Sequence, residues 1–383
     1  MQRKSSQSPI IIDLFAGAGG LSLGAARAGF FVACAVELDK RAIETHAYNF
    51  PNAKHFPIDI SKSNGDEILN QAGLDKTPIA GVIGGPPCQG FSSIGHGRVD
   101  DDRNNLFLKF FQIVDEIHPA FFVAENVPGI MNRKYDEIRQ TAFSCVSDYS
   151  ILPPLIVKAN EYGAPTKRTR VFFIGYDKRI ITSLSQAEFE HNKVKADEMI
   201  KVGFALRGLP KNIMQGILMG GKNTIDPDYF GDPEIIESPF HSRVIGEIPL
   251  YVGNQESVNN YHQRGIITGC MPTKHSEEVK RRYQELKYGK QDAISKSQRL
   301  DPNGYCPTLR AGTGPERGSY QAVRPIHYEY SRVITPREAA RLQGFPDWFV
   351  FHSTIWHSFR QIGNSVSPIV AEKILSVLLH KLT

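Results

Sequence analysis

The chain has 383 residues, of which 41% are hydrophobic and 22% charged, and its net charge of +5 permits a polyanionic partner without requiring one. This composition excludes wholesale disorder, and no apolar run reaches the ~20 residues of a membrane span or follows the N-terminal charges as a secretion signal would, so we expect a cytoplasmic protein. Single cores stop growing at about 250 to 300 residues, so the length predicts one large domain and a smaller one.

The first 177 residues alternate short apolar runs with helix-length amphipathic segments, which is the pattern of βαβ units around a parallel sheet. The apolar runs predict strands at residues 10–14, 31–36, 79–84, 121–126 and 171–176. Apolar residues three and four positions apart predict helices at residues 21–28, 41–49, 105–117 and 135–146. We therefore predict an α/β domain with a doubly wound sheet.

The regular alternation of strand and helix patterns ends after residue 177. Gly, Pro and Asn are scattered through residues 203–269 without regular alternation, which predicts a smaller, loop-rich lobe. Order returns in PREAARLQGF, where a Pro and a Gly mark the ends of a helix, and a final amphipathic helix is predicted at residues 368–382. The five cysteines form no C-x-x-C pair, so we expect neither a metal site nor a disulfide framework.

A glycine-rich turn, DLFAGAGG, ends the first predicted strand directly before a helix. Such a turn lets the backbone approach a ligand and presents free N–H groups at the helix N-terminus, although it fits many nucleotides, among them NAD and FAD, or no ligand at all. Glu37 and Asp59 each follow an apolar run, and strand ends of an open sheet line up along one edge. We expect Glu37 to accept hydrogen bonds from ribose hydroxyls and Asp59 to lie at an adenine amine.

A second pair of segments indicates catalysis. GGPPCQGFSSIG, residues 84–95, is too rich in Pro and Gly to be helical and predicts a rigid loop that holds Cys88 at the sheet edge. A structural cysteine would normally lie inside an apolar element, as Cys34 and Cys145 are predicted to. In FFVAENVPGI, Glu125 and Asn126 end another apolar strand, where a carboxylate gains nothing from packing.

With PPCQGFS, ENV and QIGNSVSP in this order, the chain resembles the cytosine-C5 DNA methyltransferases over nearly its whole length. The resemblance implies an S-adenosylmethionine-dependent, Rossmann-like fold with a catalytic domain at residues 1–178, a target-recognition domain at 179–357 and a returning helix at 358–383. It implies methyl transfer to C5 of a cytosine flipped out of a short specific sequence in double-stranded DNA, with S-adenosylhomocysteine as product. A monomer on DNA and a cognate restriction endonuclease as genetic partner are expected.

The same resemblance implies roles for individual residues. Cys88 is the expected nucleophile, Glu125 the acid that protonates the ring nitrogen, and Arg168 and Arg170 in PTKRTR the holders of the base or its phosphate. The family usually has Gln where Thr166 stands, which leaves the role of Thr166 open, and a solvent-facing basic turn is the alternative for the two arginines. The implied catalytic set is Cys88, Gln89, Glu125, Asn126, Arg168 and Arg170. The implied cofactor set is Asp13, Phe15, Ala16, Gly17, Gly19, Gly20, Glu37, Leu38, Asp59, Ile60, Pro87, Leu106, Asn364, Ser365 and Val366.

The sequence allows alternative interpretations of the DNA-contacting segments and of the activity. RLDPNGYCPTLRAG resembles the family segment that supports the target-recognition region, and the charged helix predicted within residues 275–290 either contacts phosphates or is a solvated face. A tRNA cytosine methyltransferase would share the cofactor motifs, although the sizeable variable region favours DNA. A nucleotide-dependent oxidoreductase leaves Cys88, Glu125 and QIGNSVSP unexplained, and a catalytically inactive relative leaves PPCQ and ENV unexplained.

Overall fold

The computed structural model describes residues 8–87, 104–211, 220–226, 232–246, 248–311 and 323–382. Its centre is an eight-stranded sheet in the order β3-β2-β1-β4-β5-β8-β6, with β7 also paired to β8. The strands are β1 Ile10–Leu14, β2 Phe31–Val36, β3 Lys54–Phe56, β4 Gly81–Gly84, β5 Phe121–Asn126, β6 Ser150–Ile151, β7 Leu155–Lys158 and β8 Thr169–Tyr176.

The first five strands are parallel, and β8 runs antiparallel to β5. A parallel sheet is covered on both faces, which is why its strands are near-continuous apolar runs in the sequence. The strand order reverses between β1 and β4, so the carboxyl ends of these two strands border the crevice in which open α/β sheets bind ligands. The structure thus confirms the predicted fold class.

Helices cover both faces of the sheet, and short helices joined by longer loops form the second lobe. The first five are α1 Gly20–Ala28, α2 Lys40–Asn49, α3 Gly65–Ala72, α4 Asn104–Ile117 and α5 Asp136–Ser144. The others described are α6 Gln186–Glu190, α7 Val202–Ala205, α8 Pro233–Ile236, α9 Pro239–Ile245, α10 Gln255–Arg264, α11 Glu277–Glu285, α12 Pro336–Gln343, α13 Ile355–Asn364 and α14 Pro368–Leu382. A short antiparallel pair, β9 Asn223–Thr224 and β10 Ile266–Ile267, completes the lobe.

The predicted strands and helices of the sheet domain are all present, with ends within two residues of the predicted ones. The strands β3, β6 and β7 and the helix α3 were not predicted. The start of α3 carries a signal that the prediction missed: Asn64 Oδ1 accepts from the Glu67 backbone N–H at 2.8 Å, and Glu67 Oε2 accepts from the Asn64 N–H at 3.2 Å. This reciprocal capping box is readable as Asn followed three residues later by Glu.

The loop-rich lobe shares one hydrophobic core with the sheet domain, since Leu23 and Phe121 belong to the same buried cluster as Phe240, Tyr261 and Trp348. The predicted boundary between residues 357 and 358 falls inside α13. The division into three segments otherwise stays a prediction.

The chain end packs directly on the chain start. A Cβ at Gly24 of α1 would lie 2.2 Å from Ala371 Cβ, so the backbones of α1 and α14 are in contact there. The stretch Ile355–Leu382 is long and apolar enough for a membrane span, but 72% of its most apolar window is buried inside the fold, as in a core helix. The Ser367 hydroxyl, directly before α14, has no hydrogen-bond partner among the residues described and so does not cap that helix.

Buried arginines on α12 connect this helix to loops of the second lobe. Arg341 donates from Nε to Asp347 Oδ1 at 3.1 Å, and both side chains are fully buried. Arg341 also donates to the carbonyl of Arg207, and Arg337 donates to the carbonyls of Thr268 and Pro346. One helix therefore joins three separate loops of the lobe through guanidinium groups.

Replacing Asp347 with Asn would leave the Arg341 guanidinium buried without an anionic partner. Breaking a buried pair in this way costs about 3 to 5 kcal/mol, whereas an exposed pair contributes about 0 to 1 kcal/mol. We expect Asp347→Asn to lower the free energy of unfolding far more than Glu234→Gln, which breaks the exposed pair of Glu234 with Arg207. Urea unfolding measures both, and equal losses would contradict the role given to the buried pair.

Candidate active site

Three residues of the glycine-rich turn after β1 have left-handed backbone conformations. The φ angles are 59° at Phe15, 56° at Gly17 and 99° at Gly19. Left-handed backbone is strained for a residue such as Phe and is often found at functional sites. Glu37, at the end of β2, accepts from the Gly17 N–H at 3.0 Å and from the Asp39 N–H at 2.8 Å. Burial raises the pKa of Glu37, and these two hydrogen bonds oppose the rise.

The ends of β2 and β3 lie side by side, because the Glu37 N–H donates to the carbonyl of Phe56 at 3.1 Å. Beside Glu37, the Leu38 side chain is 63% exposed. Asp59 accepts from the backbone N–H and the hydroxyl of Ser61, which lowers the pKa of Asp59, and Ile60 next to it is buried. An exposed apolar side chain flanked by carboxylates fits a purine nucleoside.

The turn that follows α13 closes the other side of this region. A Cβ at Gly20 would lie 2.3 Å from the Val366 carbonyl oxygen and 3.1 Å from Ser365 Cβ, so this turn touches the N-terminus of α1. Gln343 donates from Nε2 to the Ser365 carbonyl at 2.8 Å, which ties the turn to α12. Asn364 is exposed. The predicted cofactor residues of the chain end therefore lie next to those of the chain start.

Glu125 forms the centre of the second region. Its Oε1 lies 2.6 Å from Arg170 Nε, and the two side chains are only 11% and 16% exposed. A Cβ at Gly85 would lie 3.3 Å from Glu125 Oε2, so the backbone after β4 passes beside this carboxylate. Asn126 donates from Nδ2 to the Pro86 carbonyl at 3.4 Å. The ends of β4 and β5 and the start of β8 thus meet at the segment that leads to Cys88.

Cys88 and Gln89 lie outside the described residues, and so does Ser92 of the same predicted loop. Pro87, immediately before Cys88, is half-buried, and Leu106 is half-buried on α4 against the sheet core. The four described cysteines differ from a nucleophile in their surroundings. Burial raises the pKa of Cys34 and of Cys270 to about 12, and it also raises the pKa values of Cys145 and Cys306. Thiols with raised pKa values are poor nucleophiles.

The two arginines of PTKRTR have different surroundings. Arg168 is 3% exposed and donates to the carbonyls of Gly363 at 2.8 Å, Leu309 at 3.2 Å and Asn364 at 3.4 Å. Its guanidinium therefore joins the residue before β8 to the C-terminal end of α13 and to the segment at residues 299–311. Arg170 instead faces Glu125. A solvent-facing basic turn does not describe either residue.

Thr166 has a structural partner. It is 1% exposed, and its hydroxyl donates to the Cys306 carbonyl at 3.2 Å. The Lys167 N–H donates to the same carbonyl at 2.9 Å, and the Cys306 N–H donates to the Pro165 carbonyl at 2.9 Å. Thr166 therefore helps to anchor the segment that follows Arg299 against the loop before β8.

Three polar residues of this region were not predicted. Ser22, His46 and His55 form a hydrogen-bonded chain from Asp13, which is fully buried below the glycine-rich turn and whose pKa burial raises to about 7. The sequence pattern around Ser22 and His46 predicts only that these helix positions face the core. The contact depends on tertiary packing, so the sequence carries no local signal for it.

The comparisons with known proteins agree with this geometry. A family model described as C-5 cytosine-specific DNA methylase matches residues 10–380. The chain is 36% identical to the type II methyltransferase M.XorII of Xanthomonas oryzae pv. oryzae, with 96% of this chain and 83% of that protein covered. It is 32% identical to the type II methyltransferase M.DdeI of Desulfomicrobium norvegicum, with 95% and 87% covered.

A solved structure gives the same result for the fold. A crystal structure described as a DNA modification methyltransferase encoded within an E. coli prophage superposes with a TM-score of 0.85 at 50% identity, covering 98% of this chain and 99% of that one. The family match spans nearly all of the chain, including both regions at the sheet edge. The chain therefore belongs to the C-5 cytosine-specific DNA methylase family and is a DNA cytosine methyltransferase.

Proposed function

We propose that this enzyme methylates C5 of one cytosine within a short double-stranded DNA sequence, with S-adenosylmethionine as donor, and that it protects that sequence in a restriction-modification system. The observation that carries the proposal is the Glu125–Arg170 ion pair beside Gly85, at the sheet edge where the chain enters PPCQ. A carboxyl group and a guanidinium group next to the predicted thiol are what an attack on a cytosine ring requires. The type II relatives support the link to restriction and modification.

The residues at the ends of β1, β2 and β3 fit the methyl donor. Each Glu37 oxygen accepts one backbone N–H and has a second lone pair for a ribose hydroxyl. Leu38 offers an apolar surface for a purine face, and Asp59 with Ile60 lies at the position of an adenine amine. When bound, S-adenosylmethionine supplies a methyl group on a sulfonium sulfur. The further residues that would surround it are Asp13, Phe15, Ala16, Gly17, Gly19, Gly20, Pro87, Leu106, Asn364, Ser365 and Val366.

Catalysis begins with Cys88, because cytosine C5 alone is too weak a nucleophile to accept a methyl group. The Cys88 thiolate adds to C6, the π electrons of the C5–C6 bond move toward C5, and C5 becomes an enamine carbon. Glu125 protonates N3, which withdraws electrons from the ring and favours the addition. After C5 carries the methyl group, loss of the C5 proton expels Cys88 and restores the double bond.

The other side chains of this region position Glu125 and the base. Arg170 fixes the Glu125 carboxylate through the ion pair and has further N–H donors for the base or its phosphate. Asn126 holds the Pro86 carbonyl and so fixes the start of the loop that carries Cys88 and Gln89. Arg168 supports the site indirectly, by linking the start of β8 to the carbonyls of Leu309 and Gly363.

The target cytosine must leave the duplex before Cys88 reaches C6, at a cost of roughly a few kcal/mol in unstacking and unpairing. The predicted target-recognition domain at residues 179–357 would read the DNA, and the exposed basic side chains on and after α11 fit the DNA phosphates. We propose that the enzyme works in the cytoplasm as a monomer on DNA, beside an endonuclease that cleaves the same sequence.

Base-resolution mapping of 5-methylcytosine in plasmid DNA from cells that express the chain tests this function. We expect dense methylation at one short motif, none with Cys88→Ala, and unchanged methylation with Cys145→Ala, a matched change at a partly buried cysteine that follows α5. Unmethylated DNA from a folded protein that binds S-adenosylhomocysteine would reject the DNA substrate. Methylation of tRNA by the same protein would then identify the alternative substrate.

The different surroundings of Arg168 and Arg170 predict different results for the same substitution. A Lys at position 168 cannot reach three carbonyls, and a buried acceptor left without its donor costs about 1 to 3 kcal/mol, so we expect Arg168→Lys to destabilise the fold. Arg170→Lys keeps a positive charge beside Glu125 but loses the planar donors, so we expect slower methyl transfer at near-normal stability. Urea unfolding and single-turnover methylation separate the two, and the opposite pattern would contradict these roles.

A further inference from the structure

A chain of four polar side chains runs from below the glycine-rich turn to the edge of the sheet. Ser22 Oγ lies 2.6 Å from Asp13 Oδ2, His46 Nε2 lies 2.9 Å from Ser22 Oγ, and His55 Nε2 lies 2.9 Å from His46 Nδ1. Asp13, Ser22 and His46 are fully buried, whereas His55 on β3 is half-buried. Only His55 can therefore exchange protons with solvent readily.

The chain is in contact with the turn that approaches the cofactor. A Cβ at Gly19 would lie 2.5 Å from the Phe50 ring and 3.1 Å from His46 Cδ2, so Gly19 rests on the His46–Phe50 stack. Ser22 lies in the first turn of α1, which begins directly after Gly19. The Oδ1 atom of Asp13 is buried and has no hydrogen-bond partner among the residues described. The Ser22 hydroxyl and the Ser22 backbone N–H are the groups that lower the pKa of Asp13, so a charge there has few local groups to balance it.

The hydrogen bonds allow two arrangements with the same number of protons. In the first, Asp13 is a neutral acid that donates to Ser22, Ser22 donates to His46 Nε2, and His46 Nδ1–H donates to His55. In the second, every bond is reversed: Ser22 donates to an Asp13 carboxylate, His46 Nε2–H donates to Ser22, and His55 Nε2–H donates to His46. His55 also donates to the Ala53 backbone, so the second arrangement makes His55 an imidazolium.

Burial favours the neutral arrangement when no cation is nearby. It raises the pKa of Asp13 to about 7 and lowers the pKa values of His46 and His55. The other titratable groups that act on Asp13 are Glu37, which raises the Asp13 pKa further, and the thiol of Cys34, which burial keeps neutral. A cation above the turn has the opposite effect, because it stabilises the Asp13 carboxylate.

We propose that Asp13, Ser22, His46 and His55 form a proton relay that matches the charge of Asp13 to the charge of the ligand above the glycine-rich turn. A sulfonium ligand selects the Asp13 carboxylate and places the proton on His55. A thioether ligand, which has lost that charge, lets the proton return to Asp13. The relay rests on the function proposed above, and Ser22, His46 and His55 act in it as positioning residues that favour the methyl donor over the spent product.

Nitrogen-15 NMR of the full chain labelled at histidine reads the relay directly. The chain has 12 histidines, and His46→Gln and His55→Gln identify the two signals of interest. We expect both ring nitrogens of His55 to be protonated in the complex with S-adenosylmethionine, and a neutral His55 ring in the complex with S-adenosylhomocysteine. An identical His55 state in the two complexes would overturn the relay.

Ser22→Ala interrupts the relay inside a helix, and Ser376→Ala makes the same change in α14, where the hydroxyl donates to the Glu372 carbonyl of the same helix. We expect Ser22→Ala, but not Ser376→Ala, to give one His55 state in both complexes. Calorimetry should show that Ser22→Ala lowers the ratio of sulfonium to thioether affinity by about tenfold, the equivalent of one pKa unit. An unchanged ratio rejects the relay alone. Failure of the unaltered chain to bind either ligand rejects the cofactor assignment as well.

Discussion

The close contact between the last helix and the first is the constraint on which the site depends. Gly24 lets α14 lie against the backbone of α1, and Gly20 lets the turn at Ser365 and Val366 reach the helix N-terminus. A side chain at either glycine would separate the helices by the width of a methyl group or more. Predicted cofactor residues from the first and last parts of the 383-residue sequence thus lie side by side, although they are remote in sequence.

Buried polar groups fix the remaining parts. Arg168 joins the start of β8 to the segment at residues 299–311 and to the C-terminal end of α13, while the Arg341–Asp347 pair joins α12 to the loop that follows it. Such groups contribute less to net stability than apolar packing of the same volume, but an arrangement that leaves one of them unpaired is costly. They therefore specify how the lobes sit relative to the sheet edge at which Glu125 lies.

The sheet domain could be predicted from the sequence because its strands are apolar on both faces and its helices have clear periodicity. The single returning helix expected at residues 358–383 is instead two helices, α13 and α14, and the N-cap residue of α13, Thr354, makes no side-chain hydrogen bond to that helix. Arg168 and Arg170 look equivalent in PTKRTR, and only tertiary packing shows that one joins loops while the other faces Glu125. The contacts of Ser22 with His46 likewise depend on helix packing, which local patterns do not encode.

Trapping of the covalent adduct tests most directly whether Cys88 is the nucleophile that attacks cytosine. The substrate is a duplex that contains the motif recognised by the enzyme, with 5-fluorocytosine in place of the target cytosine. Fluorine cannot leave C5 as a proton does, so Cys88 cannot be eliminated from C6. Incubation with S-adenosylmethionine and peptide mass spectrometry should place the adduct on Cys88, with none on Cys34, Cys145, Cys270 or Cys306. No adduct, or an adduct on one of those four thiols, would contradict the account.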